Sequence, residues 1–267
     1  MVQTSIDPVL IRTQVIRQSY RAGVGHIGPA LSIADIIAAL YGNVLSILDP
    51  SDPDRDRFIL GKGHAALALY AALHLRGWIS RDELATYCED GTRLGVHPEH
   101  CLPGIDLSTG SLGQGLPVAV GMALAARMQQ SPRRVFALLS DAECNEGSVW
   151  EAVMFAAHHK LSNLAAIVDL NGLQALAPTS AVLDLAPLAS RWSAFGWETR
   201  EVDGHDIEAL TAALAKNREG SHRPLAVIAR TNGGKGISYM ENQVDWHYLP
   251  MNETQYREAL AELGARP

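Results

Sequence analysis

Two polar side chains, Asp141 and Asn171, each come shortly after an apolar run in the sequence. The runs, 135–139 and 164–168, have the length and apolar character of buried strands, and an amphipathic helix is expected between them. Because the carboxyl ends of parallel strands meet at one edge of a sheet, the two side chains are expected to lie side by side there. One carboxylate and one amide oxygen suit a hard cation such as Mg²⁺ bound to a diphosphate. The simpler alternative is a pair of ordinary polar residues at strand ends.

The turn after the first run, residues 142–147, consists mainly of small and acidic residues. Its backbone N–H groups are expected to face phosphate oxygens, because unpaired N–H groups next to a helix start attract anions. Glu146 is expected to begin the helix that follows.

Three isolated histidines, His26, His64 and His97, stand in glycine-rich turns, and glycines flank the first two. Histidine exchanges protons near neutral pH and binds anionic oxygens, so these residues are candidates for acid–base chemistry or phosphate contact. A fourth histidine, His247, follows Trp246 near the end of the chain. The competing interpretation for each is a hydrogen-bonded structural histidine.

The run His97-Pro-Glu-His100-Cys101 contains nitrogen and sulfur ligands of the kind that zinc prefers. No matching second pair of ligands accompanies it, so zinc is the less favoured hypothesis. Cys144, near the expected cation, is interpreted as a small turn residue rather than a reactive thiol. No dinucleotide-binding G-x-G-x-x-G opens a helix after a strand, and no P-loop is present.

The alternation of strands and helices predicts an α/β fold with a mostly parallel sheet covered by helices on both faces. Strands are expected at residues 57–60, 135–139, 164–168, 198–202 and 224–230. Helices are expected at 5–20, 33–41, 65–75, 80–88, 113–128, 184–195, 206–216 and 253–263. Ser32 and Asp206 are expected to cap two of them, and the helix at 113–128 is expected to be buried all round. The long loop 91–112 is of a length that is usually functional or mobile.

Composition and charge exclude several classes of protein. The chain has 267 residues, 47% of them apolar, and a net charge of −7 without a basic block. Nucleic acid and an anionic membrane are therefore not expected as partners. Three cysteines form no disulfide framework, and neither a signal peptide nor a membrane-spanning apolar run is seen. A cytoplasmic location is expected.

The segment around Asp141 resembles the thiamine diphosphate signature of transketolases, in which Gly-Asp-Gly is followed by Glu-Gly, a helix and a later asparagine. The residues that carry this signature are Ser140-Asp141-Ala142-Glu143, Glu146-Gly147, Trp150-Glu151-Ala152 and Asp169-Leu170-Asn171. Further matches are Gly25-His26 with Gly28, Gly61-Lys62-Gly63-His64-Ala65, His97-Pro98-Glu99, Thr109-Gly110-Ser111-Leu112-Gly113-Gln114-Gly115 and Trp246-His247. The resemblance covers nearly the whole chain and implies the thiamine diphosphate-binding fold.

The resemblance implies a site for Mg²⁺ or Ca²⁺. Its ligands are expected to be Asp141, Asn171 and the backbone carbonyl oxygen of Leu173.

The resemblance also implies contacts with thiamine diphosphate itself. His64, His247 and the Ala142 amide are expected to contact the diphosphate. Gly110 and Leu112 are expected to lie against the aminopyrimidine ring.

Further residues are expected to serve catalysis. Glu146 is expected to join a carboxylate network that links two cofactor sites. His26, His97 and His247 are expected to face the sugar hydroxyls and the reacting carbonyl, where they orient the substrate and transfer protons.

The sequence departs from the family pattern at two places. Ser140 and Ala142 replace the glycines that flank the aspartate, and both are small, so metal binding is expected to survive. Tyr248-Leu249 follows His247 where the family has Gly-Lys. This second change alters the wall of the substrate funnel.

A full transketolase continues with a pyrimidine-binding domain and a C-terminal domain, whereas this sequence ends at Pro267. The chain is therefore expected to be the N-terminal subunit of a split enzyme. It is expected to comprise a diphosphate-binding domain at 1–235 and an arm and helix at 236–267 that pack on it or on the partner. A second subunit is expected to carry the missing domains in an α₂β₂ assembly, without which the chain is inactive.

The expected reaction moves a two-carbon ketol unit from a ketose, or ketose phosphate, to an aldose. One alternative is a relative that uses the same cofactor to decarboxylate a 2-oxo acid, as a dehydrogenase component or a 1-deoxyxylulose-phosphate-type synthase. The set of histidines favours ketol transfer, because polyol substrates need several hydroxyl contacts. The alternative of another class is a non-catalytic scaffold subunit.

Overall fold

The computed structural model describes residues 5–215 and 221–266. Its strands are β1 (Arg57–Leu60), β2 (Val135–Ser140), β3 (Leu164–Leu170), β4 (Glu198–Asp203) and β5 (Leu225–Arg230). They form one sheet in the order β1-β2-β3-β5-β4, and each neighbouring pair is parallel. The predicted α/β fold is confirmed, and the strand bounds lie within two residues of those expected.

Helices cover both faces of this sheet. They are α1 (Pro8–Ala22), α2 (Ile27–Ser32), α3 (Ala34–Ala39), α4 (Ala66–Leu75), α5 (Arg81–Leu84), α6 (Gly115–Met128), α7 (Gly147–His158), α8 (Thr179–Val182), α9 (Leu188–Ala194), α10 (Ile207–Leu214) and α11 (Glu253–Glu262). Alternate side chains of a strand enter opposite cores, as Phe136 and Ala137 do on β2. One core contains α1 to α4, α10 and α11, and the other contains α6, α7 and α9.

The start of α1 follows from its sequence. The Asp7 side chain accepts a hydrogen bond from the Val9 N–H at 2.8 Å, and Pro8 occupies the first helical position. A proline there loses no hydrogen bond, because the first N–H groups of a helix have no partner inside it. Gly23, with φ 63°, ends the helix in the left-handed region.

The expected cap at Ser32 is wrong. Ser32 ends α2, and its hydroxyl donates to the Asp169 carboxylate at 2.8 Å, with the Pro29 carbonyl oxygen also 3.0 Å from the hydroxyl oxygen. α3 follows almost directly and continues as a π-helical turn at Leu40–Val44. The Ser32 hydroxyl is thus bonded to the buried Asp169 on β3, and this contact between distant residues cannot be predicted from the sequence around Ser32.

Four other helices differ from expectation. α5 covers only Arg81–Leu84 of the expected segment 80–88. α6 is buried on one face only, and Met128 at its end is 77% exposed. α9 begins at Leu188, after Pro187, and not at 184. α10 is capped by Asp206 as expected, but it ends at Leu214, and Lys216 lies outside the described residues.

The C-terminal helix α11 packs against α1. The rings of Tyr20 and Tyr256 stack with centroids 4.1 Å apart, and Leu260 is completely buried. Within residues 5–215 and 221–266, no helix has both the length and the apolar character needed to cross a membrane.

Candidate active site

The ends of β2 and β3 bring Asp141 and Asn171 together at the carboxyl edge of the sheet. The strands are neighbours, with Ser140 opposite Asp169. The Asp141 carboxylate accepts hydrogen bonds from the N–H groups of Ala142 at 2.9 Å and Gly172 at 2.8 Å. The turn after each strand is therefore tied to the same carboxylate.

The oxygen atoms at this edge fit a divalent cation. Asp141 supplies a carboxylate, Asn171 an amide oxygen and Leu173 a backbone carbonyl, which is the ligand chemistry of Mg²⁺ and Ca²⁺. Burial, and next the negative charge of Asp169, raise the pKa of the Asp141 carboxyl to about 7. A bound cation opposes both effects by stabilising the ionised carboxylate.

Three of the predicted histidines form one cluster. The ring centroids of His26 and His64 lie 5.4 Å apart, those of His26 and His247 5.3 Å, and those of His64 and His247 5.0 Å. They come from the start of α2, from the 3₁₀ turn before α4 and from the 3₁₀ turn Val244–His247. The structure therefore assembles these residues from three distant parts of the sequence.

The backbone around His26 holds this cluster in place. His26 has φ 59°, a left-handed conformation that non-glycine residues adopt rarely and that often marks a functional site. Its N–H donates to the His247 carbonyl at 3.1 Å. A Cβ atom at Gly25 would lie 2.1 Å from the Tyr248 carbonyl oxygen, so this close approach requires glycine.

The clustered imidazoles are neutral at pH 7. Burial, and next His97, lower the pKa of His26. Burial, and next the Lys62 ammonium, place the pKa of His64 well below its ordinary value. Burial, and next the neighbouring His26 and Lys62, lower the pKa of His247 to about 4. A neutral imidazole both donates and accepts a hydrogen bond, and the buried Nδ1 of His26 has no partner in the described part of the chain.

The loop 91–112 forms the opposite wall. A Cβ atom at Gly110 would lie 3.2 Å from the His97 ring, so the histidine packs closely on this glycine. The Tyr70 hydroxyl donates to the His97 carbonyl at 2.9 Å and anchors the segment. Leu112 lies further along the same wall.

Two glutamates with different environments follow β2. Glu143 is completely buried and accepts a hydrogen bond from the Gly113 N–H at 3.0 Å, which ties the loop to the strand end. Glu146 is exposed, precedes α7 as its N-cap residue and lies at the cavity wall. The sequence predicts a functional role for Glu146 alone, because spacing does not distinguish a buried carboxylate from an exposed one.

These groups surround one cavity of about 530 Å³. Every predicted site residue except Asp141 lines it. Asp141 lines a second cavity and accepts a hydrogen bond from the N–H of Ala142, which lines the first. Other lining residues, among them Lys62, Asn145 and Gln174, are not predicted from the sequence, whereas Tyr248 is expected at the wall of the substrate funnel. The only sequence signal for Lys62 is its place in the Gly-Lys-Gly-His turn.

The run His97-Pro-Glu-His100-Cys101 does not form a zinc site. His97 lines the cavity, and all three potential ligands, His97, His100 and Cys101, are exposed. The His100 ring is instead hydrogen-bonded to the Ser108 hydroxyl at 3.0 Å. Within the described residues no group of three His, Cys, Asp or Glu side chains is arranged to hold a metal ion. Cys144 is fully buried, and burial raises the pKa of its thiol well above the ordinary value, which agrees with an inert turn residue.

The family match covers almost the whole chain. Residues 9–267 match the family described as transketolase, thiamine diphosphate binding domain. The chain belongs to the transketolase family. The expected resemblance and fold are therefore confirmed, and the matching part of the family is the one that binds thiamine diphosphate.

Two relatives are themselves subunits of transketolases. The chain is 39% identical over 260 residues to the 6-deoxy-6-sulfo-D-fructose transketolase subunit of Clostridium sp. (strain MSTE9), covering 95% of this chain and 94% of the relative. It is 39% identical over 257 residues to one of the subunits of the apulose-4-phosphate transketolase of Phocaeicola vulgatus, covering 96% and 92%. The chain is thus an N-terminal transketolase subunit of the split type.

Solved transketolases contain the same fold within longer chains. The transketolase of Leishmania mexicana matches with a TM-score of 0.87 at 28% identity, and that of Campylobacter jejuni with 0.87 at 30%. The match covers 98% of this chain in both cases but only 42% and 43% of those chains. The protein spans about two fifths of the length of these transketolases.

Proposed function

We propose that this chain is the diphosphate-binding subunit of a two-subunit transketolase. Together with a second subunit it transfers a two-carbon ketol unit from a ketose, or ketose phosphate, to an aldose. The observation that carries the proposal is one cavity lined both by the four histidines and by Asn171, Leu173 and Ala142, the residue that follows Asp141. Family membership supports thiamine diphosphate as the cofactor. The positions of the lining residues support the roles that are assigned to each of them below.

One end of the cavity binds the charged part of thiamine diphosphate. Asp141, Asn171 and the Leu173 carbonyl hold Mg²⁺ or Ca²⁺, and His64 and His247 donate hydrogen bonds to the diphosphate. The Ala142 N–H already donates to Asp141 at 2.9 Å, so its contact with the diphosphate requires that donor to be shared. Lys62 also lines this wall, where its ammonium pairs with the buried Asp169 carboxylate at 2.5 Å.

The other end of the cavity holds the reacting groups. When bound, thiamine diphosphate supplies the carbon nucleophile and the electron sink for cleavage next to the carbonyl. Gly110 and Leu112 provide a flat surface for the aminopyrimidine ring. His26, His97 and His247 orient the hydroxyls and carbonyl of the sugar and move protons, for which a neutral imidazole is suited.

The second subunit completes this site. We propose that it carries the pyrimidine-binding and C-terminal domains and that the pair assembles as α₂β₂. Glu146, exposed at the cavity edge, is placed to contact the partner and to join the carboxylate network between two cofactor sites. Leu183 and Tyr248, which line the cavity, are exposed by 53% and 56%, which agrees with a surface that a partner covers.

Co-expression with a second subunit that carries a pyrimidine-binding domain, to be sought in the neighbouring reading frame, tests the proposal. Calorimetry with thiamine diphosphate and Mg²⁺ should detect tight binding to the complex, and ketol transfer should require both subunits. Absence of binding with and without the partner would favour a scaffold role instead. Release of CO₂ from 2-oxo acids without ketol transfer would favour the decarboxylating alternative.

A further inference from the structure

The carboxylate of Asp169 lies behind Asn171 and is completely buried. Its Oδ2 atom accepts hydrogen bonds from the Asn171 amide at 2.7 Å and from the Ser32 hydroxyl at 2.8 Å, and it pairs with the Lys62 ammonium at 2.5 Å. Its Oδ1 atom accepts from the Thr231 hydroxyl. One carboxylate therefore joins α2, the turn after β1, the end of β3 and the loop after β5.

This network decides which way the Asn171 amide faces. Because the Nδ2 atom donates to Asp169, the Oδ1 atom points away from it and accepts from the Leu173 N–H at 2.9 Å. An amide turned over would place N–H donors where a cation needs an oxygen. The orientation of a proposed metal ligand thus depends on a neighbour that does not itself reach the cation.

Lys62 compensates the negative charge of Asp169 in the protein core. Its side chain is 1% exposed and that of Asp169 is fully buried, so each charge depends on the other for compensation. Breaking a buried pair by removing one partner is far more costly than replacing both partners by apolar residues. This difference allows the structural and the orienting roles of Asp169 to be separated by experiment.

We propose that Asp169 is a positioning residue for the metal site: it holds the Asn171 amide with its oxygen toward the cation, and Lys62 balances its charge. The inference rests on the proposed cofactor site and adds two residues to it. Partners in this position typically change metal affinity about 10- to 100-fold when removed.

The test uses the two-subunit complex with Mn²⁺ as the probe, titrated by electron paramagnetic resonance with thiamine diphosphate present. The double variant Lys62→Met with Asp169→Leu leaves no unpaired buried charge, so its thermal midpoint should stay near that of the wild type. Its Kd for Mn²⁺ should rise about 10- to 100-fold. Thr231→Val is the matched control, because it removes a bond to the same carboxylate without touching Asn171, and its Kd should stay close to that of the wild type.

An unchanged Kd in the double variant would overturn the proposal. Equal weakening in Thr231→Val would also overturn it, because the effect would then reflect packing and not orientation. If the double variant fails to assemble, the smaller pair Lys62→Met with Asp169→Ala also removes the acceptor for the Asn171 amide without leaving a buried charge unpaired, and a wild-type Kd in it would overturn the proposal. Wild-type complex that binds no Mn²⁺ would contradict the metal site and hence the role of Asp169, whereas Mn²⁺ binding without ketol transfer would contradict only the proposed reaction.

Discussion

The backbone N–H of His26 donates to the carbonyl oxygen of His247 at 3.1 Å, and the two rings lie 5.3 Å apart. This bond joins the loop before α2 to the segment that follows β5. Two proposed catalytic side chains are therefore held by backbone contact, which fixes their spacing more firmly than side-chain packing alone.

Replacing Gly25 by Ala should disrupt this pairing. The new methyl group would lie 2.1 Å from the Tyr248 carbonyl oxygen, so one of the two segments must move. Overpacking of this kind costs about 1–3 kcal/mol of folding stability, and ketol transfer should fall as the histidines separate. Urea denaturation and steady-state kinetics of the complex measure both effects.

Gly121→Ala is the control for that experiment. Gly121 is an exposed residue of α6, and a Cβ atom there meets nothing within 4 Å. The substitution should stabilise the helix by up to about 1 kcal/mol and leave activity unchanged. Equal losses of stability and of ketol transfer in the two variants would show that the effect does not arise from the close contact between residue 25 and Tyr248.

The histidines should separate into two functional groups. Replacing His26 or His97 by Ala should lower ketol transfer by about 10²- to 10⁴-fold, as expected for loss of proton transfer, with little change in cofactor affinity. Replacing His64 should mainly weaken thiamine diphosphate binding. Calorimetry measures the affinity for thiamine diphosphate in each variant, and kcat measures the rate of ketol transfer. Loss of cofactor binding alone in the His26 variant would contradict the assignment.

Folding stability should fall on the acid side because of the histidine cluster. His247 has a pKa of about 4 in the folded protein against 6.5 for a free imidazole. Above pH 6.5 the ring is neutral in both states. As the pH falls from there toward 4, the unfolded chain takes up a proton that the folded chain excludes, so stability is lost.

His247→Gln should therefore show a shallower loss of stability across this pH range than the wild type. Urea denaturation at a series of pH values measures the slope. His100→Gln, at an exposed position, serves as the control and should follow the wild-type slope. A His247 variant with the wild-type slope would show that burial does not exclude the proton.

Tyr248 should influence the choice of sugar without affecting the cofactor. Its ring lies 5.0 Å from that of His247 and 5.9 Å from that of His26, and it lines the cavity. Tyr248→Gly should widen the entrance and change the KM for sugar substrates, while thiamine diphosphate affinity stays the same. Tyr248→Phe, which keeps the ring, should resemble the wild type; a KM unchanged in the glycine variant would exclude this role.

Much of the fold could be predicted from the sequence, because central strands of a parallel sheet are continuous apolar runs. β2 and β3 are buried along almost their whole length, and polar residues mark their ends at Asp141 and Asn171. The glycine neighbours of the histidines point to the site, since glycine permits the close approach seen at Gly25 and Gly110. Both the strands with their polar ends and the glycine-flanked histidines can therefore be recognised from residues that are close in the sequence.

The rest depends on contacts between distant segments. The sequence predicts a helix cap at Ser32, but this serine donates to a carboxylate on β3, and Lys62 pairs with that same group. Nothing in the sequence around Asp169 shows that this carboxylate is buried and bonded to several distant residues, rather than being an ordinary polar residue at a strand end. Such networks become visible only when tertiary structure brings their members together.

We propose that Asp141 anchors metal-dependent binding of thiamine diphosphate in this subunit. Calorimetric titration of the two-subunit complex with thiamine diphosphate and Mg²⁺, for the wild type and for Asp141→Ala, tests it most directly. Binding that requires Mg²⁺ in the wild type and is abolished in the variant is the predicted result. Unchanged affinity in Asp141→Ala would contradict the assignment of the site.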